Sequence, residues 1–289
     1  MTASPIVASR NESQSAKPRT EVIDRSVFED MRKYIGSDMF RIPGYMHPVD
    51  ALCYAAVLSY QRASGLSGSV AEVGVFFGRS FFLMAKSLKP GEKAFAADLF
   101  EAGAQVDGES LQMRRFRETA SRLGIEIDPA CLIAGPSQAL KSSDILAAIG
   151  RVRFFSIDGG HAIEQVQADA ALASEVIAEH GMLVFDDFGN PEWPEVSLAV
   201  FDFLRGKNGA YVPVAITRSK LYVCRSELHS TYSAAFAGSD WMRGFAAKET
   251  SMLGSRLLWF HHPIGERIVF EALVKVGLGR LALALQTRR

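Results

Sequence analysis

The spacing of apolar residues changes along the chain, and each change marks an element. Residues 1–22 have no hydrophobic period and are rich in Ser, Thr, Asn and Arg, which predicts a disordered tail. Residues 26–35 (SVFEDMRKYI) read as a short amphipathic helix with Ser26 as its N-cap. After a turn-rich connection over 41–48, Pro48 opens a helical pattern to about Ser64, with Leu52, Ala55, Ala56 and Ser59 on one face. Residues 65–68, bounded by glycines, end it. From there short apolar runs at 70–75, 94–98, 130–134, 152–157 and 182–185 predict strands. Helical patterns at 80–88, 109–123, 137–149, 162–179 and 195–204 lie between and after them. Such alternation predicts an α/β fold, with helices on both faces of a parallel sheet whose strands are buried on both sides. Residues 211–216 and 221–225 flank the loop Thr217-Arg218-Ser219 and predict an antiparallel hairpin, bringing the sheet to seven strands.

Residues 226–289 follow this core and read as helical, with aromatic and basic residues such as Trp241, Phe245, Trp259, Phe260, His261 and His262. They are expected to form an appendage packed on the core or on a second subunit; an amphipathic helix lying on a membrane over 268–285 is the other reading. The expected organisation is thus a tail (1–22), a helical cap (23–68), an α/β core (69–225) and a helical extension (226–289).

The chain has 289 residues, 48% apolar and 22% charged, as in ordinary globular proteins. Lys and Arg total 32, as do Asp and Glu. A neutral chain has no overall field to draw in a polyanion, so nucleic acid is not an expected partner. Cys53, Cys131 and Cys224 are scattered and show no C-x-x-C spacing, so they read as buried small hydrophobes in a reducing compartment. Residues 1–20 contain no apolar signal-peptide core, and a cytoplasmic location is expected. The longest apolar stretch, 268–285, is interrupted by Glu271, Lys275 and Arg280, so no transmembrane helix is expected. The apolar C-terminal helices make a homo-oligomer the expected assembly.

Candidate chemistry gathers where strands end. Glu72-Val73-Gly74-Val75-Phe76-Phe77-Gly78-Arg79-Ser80 leaves the first strand and opens a helix. Its glycines let the backbone turn tightly and approach a ligand, and the helix start offers unpaired N–H groups. It is not G-x-G-x-x-G, because Phe76 holds the second glycine position, which disfavours a dinucleotide. Asp98 ends the second strand, twenty residues after Gly78, where an acid can accept hydrogen bonds from both hydroxyls of a ribose. The fourth strand ends in Asp158-Gly159-Gly160-His161 and the fifth in Asp186-Asp187. Adjacent strands lie about 4.8 Å apart, so Asp158, Asp186 and Asp187 can meet. Three carboxylates together call for a cation, and all-oxygen ligation selects Mg²⁺, Mn²⁺ or Ca²⁺. A neutral imidazole at His161 suits a general base. Each acid alone also suits a helix N-cap. His47 could line the pocket as a lid residue, and His180 reads as the C-terminal end of a helix.

EVGVFFGRS, AADLFE, IAGPSQAL, FFSIDGGHAIEQVQADAAL and GMLVFDDFGNPEWPEV, in this order and spacing over about residues 48–225, resemble class I S-adenosylmethionine-dependent methyltransferases. The nearest branch resembles the metal-dependent sugar O-methyltransferases of macrolide and aminocoumarin biosynthesis. The resemblance implies a Rossmann-like, doubly wound sheet. It implies that Glu72, Gly74, Phe77, Gly78 and Ser80 shape the cofactor turn, that Asp98 holds the ribose and that Ser137 lies near the adenine. Asp158 joins the cofactor set and, with Asp186 and Asp187, the metal set, for Mg²⁺ or Mn²⁺. Some relatives carry an aspartate base two residues after the first metal acid; here that position is Gly160, so the base role falls to His161. The implied reaction is O-methylation of a sugar or glycosylated small molecule. A non-catalytic S-adenosylmethionine-binding scaffold, and a metal-dependent hydroxylase or hydrolase on the same fold, are the alternatives.

Overall fold

A computed structural model describes residues 25–287 except 107, 244, 246, 262 and 263. The tail expected over 1–22 and the residue His262 lie outside the described residues. The strands are β1 (Ser69–Val73), β2 (Ala94–Asp98), the two-residue pair β3 (Gln105–Val106) and β4 (Glu109–Ser110), β5 (Leu132–Ala134), β6 (Val152–Ile157), β7 (Ile177–Phe185), β8 (Tyr211–Ile216), β9 (Leu221–Arg225), β10 (Ala247–Met252) and β11 (Ser255–Phe260). The helices are α1 (Arg25–Lys33), α2 (Pro48–Ala63), α3 (Arg79–Ala85), α4 (Leu111–Arg122), α5 (Ser142–Ile149), α6 (Ile163–Val176), α7 (Pro194–Gly206), α8 (His229–Ala237), α9 (Ile264–Lys275) and α10 (Gly279–Thr287).

The main sheet runs β10-β11-β8-β9-β7-β6-β1-β2-β5. Strands β5, β2, β1, β6 and β7 are parallel, and β9 enters antiparallel to β7. The period-two alternation of strand side chains splits the core into two layers. Phe154 of β6, Met182 and Val184 of β7 and Tyr222 of β9 pack with α2, α3 and α8 on one face. Phe155, Ile157, Leu183, Phe185 and Val223 pack with α5, α6 and α7 on the other. Cys53, Cys131 and Cys224 are buried free thiols, as their spacing implies.

The sheet has nine strands where seven were expected. The two extra strands, β10 and β11, form a hairpin inside the segment read as helical, and β11 pairs parallel with β8. The hairpin turns at Leu253 (φ 48°) and Gly254 (φ 79°). Two positive φ values in a two-residue loop suit Asn-Gly or Gly-Gly, so a leucine there hides the turn from sequence. The helix expected over 162–179 stops at Val176, and His180 lies within β7 instead of at a helix end, with its Nε2 2.8 Å from the Ser67 carbonyl oxygen. Ile177 pairs with Val152, which draws this segment into the sheet. The single helix considered over 268–285 is two helices broken at Gly277 (φ 80°). Among the described residues no helix is long and apolar enough to cross a membrane.

Candidate active site

The carboxyl ends of β1, β2, β6 and β7 open onto one cleft of about 850 Å³, where ligands of open α/β sheets bind. Gly74, Ser80, Asp98, Ser137, Asp158, His161, Asp186 and Asp187 all line it. Glu72, Phe77 and Gly78, also expected at the cofactor turn, do not.

Gly74 sits at φ 78°, and a Cβ built on it would lie 1.6 Å from the Asp158 carbonyl oxygen. The ends of β1 and β6 approach closely only because this residue has no side chain. A Cβ at Gly78 would strike the Phe82 ring at 2.4 Å, so its smallness serves the packing of α3. Phe77 is buried, its ring edge-on to Phe76 at 4.5 Å. Phe76 itself is left-handed (φ 49°) and lines the cleft. Asp98 holds it there: Oδ2 accepts the Phe76 N–H at 2.8 Å, while Oδ1 accepts the Phe100 N–H at 2.8 Å and Gln112 Nε2 at 2.9 Å. Gln112 also donates to the Phe76 carbonyl at 2.9 Å. The acid expected at a ribose is therefore also the clamp of the turn.

Behind the turn, Glu72 is fully buried and its Oε1 accepts the Ser156 hydroxyl at 2.8 Å. Tyr54 and Ser156 share a further hydrogen bond of 2.9 Å. Burial pushes the Glu72 carboxyl from 4.5 up to about 7.

On the far wall, Asp158, His161 and Asp187 each bring one potential ligand atom within 4.8 Å of the others. His161 Nε2 lies 3.0 Å from Asp187 Oδ2, and the imidazole stacks on Trp193 at 4.2 Å between centroids and 12° between planes. Asp187 is left-handed (φ 53°), a costly conformation for a residue with a side chain. Its other oxygen accepts Asn190 Nδ2 at 2.7 Å. Burial would raise its pKa, but the hydrogen bonds from His161 and Asn190 outweigh that and hold the carboxyl below its usual value. Asp186 does not join this group. Its Oδ1 accepts the Asp187 N–H at 2.8 Å and its Oδ2 pairs with the ammonium of Lys220. Burial, then the neighbouring Asp186 charge, push the Asp158 carboxyl well above the usual range.

Three contributors were not singled out from sequence. Trp193 (42% exposed) and Tyr45 (88% exposed) both present aromatic surface to the cleft. Lys220 is the third. His47 lines the cleft on the cap side, where Arg79 fixes the neighbouring segment by donating Nε to the Ile42 carbonyl at 2.8 Å.

Residues 71–188, which span β1 to just beyond β7, match the family described as a methyltransferase domain. The match covers less than half of the chain. It agrees with the resemblance carried by the chain's motifs. No curated protein matches the chain. Among solved structures, the O-methyltransferase NovP is 16% identical, with 70% of this chain and 100% of that chain covered and a TM-score of 0.54. That likeness shows a shared fold. CalS11, a TDP-rhamnose 3'-O-methyltransferase of calicheamicin biosynthesis, is 16% identical over 72% of this chain and 99% of that one, with a TM-score of 0.48. TomG from Streptomyces achromogenes, an O-methyltransferase of tomaymycin synthesis, is 13% identical over 68% and 90%, with a TM-score of 0.43. At these scores the last two add nothing to the fold assignment.

Proposed function

We propose that this chain moves a methyl group from S-adenosylmethionine to a hydroxyl of a sugar or glycosylated small molecule, with His161 as general base. The observation that carries this reading is one cleft holding both the Gly74 turn with Asp98 and, opposite, the Asp158–His161–Asp187 group.

Gly74, Asp98, Ser137 and Asp158 are the residues that would hold S-adenosylmethionine, whose sulfonium supplies the methyl group. The donor set fits a divalent cation in part. Asp158 and Asp187 offer carboxylate oxygens close together, whereas the third expected acid, Asp186, is turned to Lys220. Asp158 and Asp187 would hold Mg²⁺ or Mn²⁺, which when bound lowers the pKa of a coordinated hydroxyl.

With Nε2–H donated to Asp187, the Nδ1 lone pair of His161 takes the acceptor hydroxyl's proton. The freed oxygen pair attacks the methyl carbon in line, the carbon–sulfur bond breaks, and S-adenosylhomocysteine leaves. Asp187 stabilises the imidazolium that forms, and Trp193 fixes the plane of the ring. Trp193 and Tyr45 offer flat apolar faces on which the C–H face of a sugar ring can pack. The protein's contribution is chiefly orientation.

Calorimetric titration of S-adenosylhomocysteine into chelator-treated protein tests this, with NAD as the control and a repeat in MgCl₂. Binding of the adenosyl ligand at roughly micromolar Kd with NAD silent is the expected result. No adenosyl binding in either condition would refute the reading.

A further inference from the structure

Lys220 lies just ahead of β9 and is 2% exposed. Its place is set by the main chain. Leu221 pairs with Phe185 across β9 and β7, so the residue before the one sits beside the residue after the other, which is Asp186. A tight loop fixes the approach: Thr217 N–H donates to the Lys220 carbonyl at 2.9 Å, and Lys220 N–H donates to Thr217 Oγ1 at 3.1 Å. The ammonium pairs with Asp186 Oδ2 and stands 5.7 Å from the centre of the Tyr54 ring. It also feels the charges of Asp158 and of Asp50, a fully buried acid of α2.

Asp186 thus has an ammonium on one oxygen and the Asp187 N–H on the other; Asp187 also has both oxygens hydrogen-bonded, so the fixed positive charge of Lys220 is what sets Asp186 apart. The acids that face Lys220 include two of the three that a divalent cation would need. A dication and an ammonium a few ångströms apart repel each other while competing for the same negative charge.

We propose that Lys220 is a built-in competitor of the divalent cation: its ammonium holds Asp186 out of the ligand set, so the three-acid site forms only when Lys220 releases that carboxylate. This rests on the cation site described under the proposed function. Lys220 acts on the site through Asp186 and is a positioning residue. The consequence is weak metal binding in the resting protein.

The test is calorimetric titration of MnCl₂ into the full-length chain, with and without saturating S-adenosylhomocysteine, comparing wild type with K220M and K220Q. Both variants remove the charge, and the glutamine amide can still donate to Asp186. Each should bind Mn²⁺ at least about tenfold more tightly than wild type. Its melting temperature should rise more with added MnCl₂ than that of wild type. The gain should disappear in K220M/D186N and K220Q/D186N. If a neutral variant unfolds in chelator, MnCl₂ should refold it, because the dication then supplies the missing charge; failure to refold counts against the proposal. Equal Mn²⁺ affinity in wild type and neutral variants, or a gain that survives D186N, overturns it. The adenosyl titration is read separately: its failure sinks the methyltransferase mechanism, while the comparison in MnCl₂ alone still decides the role of Lys220.

Discussion

Replacing Glu72 by Gln should remove a pH-dependent cost from folding. Glu72 is fully buried in β1, and burial raises its carboxyl from 4.5 in the unfolded chain to about 7 in the folded one. Below 4.5 both states carry the proton, and no penalty exists. Between 4.5 and about 7 the unfolded chain ionises while the folded chain keeps its proton, so stability falls as pH rises. The slope is about 1.4 kcal/mol per pH unit, and the loss levels off near 3 kcal/mol above the folded value. Glutamine keeps an acceptor oxygen for the Ser156 hydroxyl but never titrates. Urea denaturation followed by circular dichroism, on wild type and E72Q from about pH 5 to about pH 8, isolates the effect, because the other titrating groups are common to both. Over that range the wild type should lose about 2.5 kcal/mol relative to the variant. A wild-type-minus-variant difference that stays flat with pH would refute the claim that this carboxyl is held protonated by burial.

His161→Ala should leave S-adenosylhomocysteine affinity unchanged and lower turnover by about 10²–10⁴, the usual worth of a general base; near-wild-type rates in single-turnover assays would remove His161 from that role. Gly74→Ala should cost about 1–3 kcal/mol or more in thermal or urea unfolding, because its Cβ would sit 1.6 Å from the Asp158 carbonyl oxygen; a stable variant would mean the two strand ends can part freely. Trp193→Ala should raise the acceptor KM and leave adenosyl affinity alone; the opposite split would place the indole on the cofactor side.

The central strands were legible because buried parallel strands are continuous apolar runs. The run over 152–157 is β6 residue for residue, and the pattern opened by Pro48 is α2 to within a residue. The outer hairpin was not legible for the opposite reason. Five of the six residues of β10 are exposed, so Ala247–Met252 offers no apolar alternation to read. Its partner β11 buries Leu257, Leu258 and Phe260, a spacing that also suits a helix face. The helix expected to reach residue 179 fails for a different reason: Ile177 and Ala178 are apolar and buried and suit either element, and only the pairing of Ile177 with Val152 of β6 makes this segment a strand.

The site divides along the same line. The placement of Asp98, Asp158 and Asp187 at the cleft was readable because they end a strand or lie within two residues of its end, and in open α/β sheets strand ends face the ligand; His161, four residues beyond β6, is reached through the Gly159-Gly160 turn. Which of the acids would pair with a cation, and which with the protein itself, was not readable. Asp186 and Asp187 are neighbours in sequence, yet the left-handed turn at Asp187 sends one carboxylate to His161 and the other to Lys220. A lysine ahead of an apolar strand looks like the solvated end of that strand. It becomes an interior cation only once β9 is known to run antiparallel to β7 with Leu221 opposite Phe185, and no local pattern in either segment encodes that register. The charge balance of the cleft is therefore a tertiary property. The strands place the acids, and the hairpin that returns beside them decides which carboxylates remain available to a ligand.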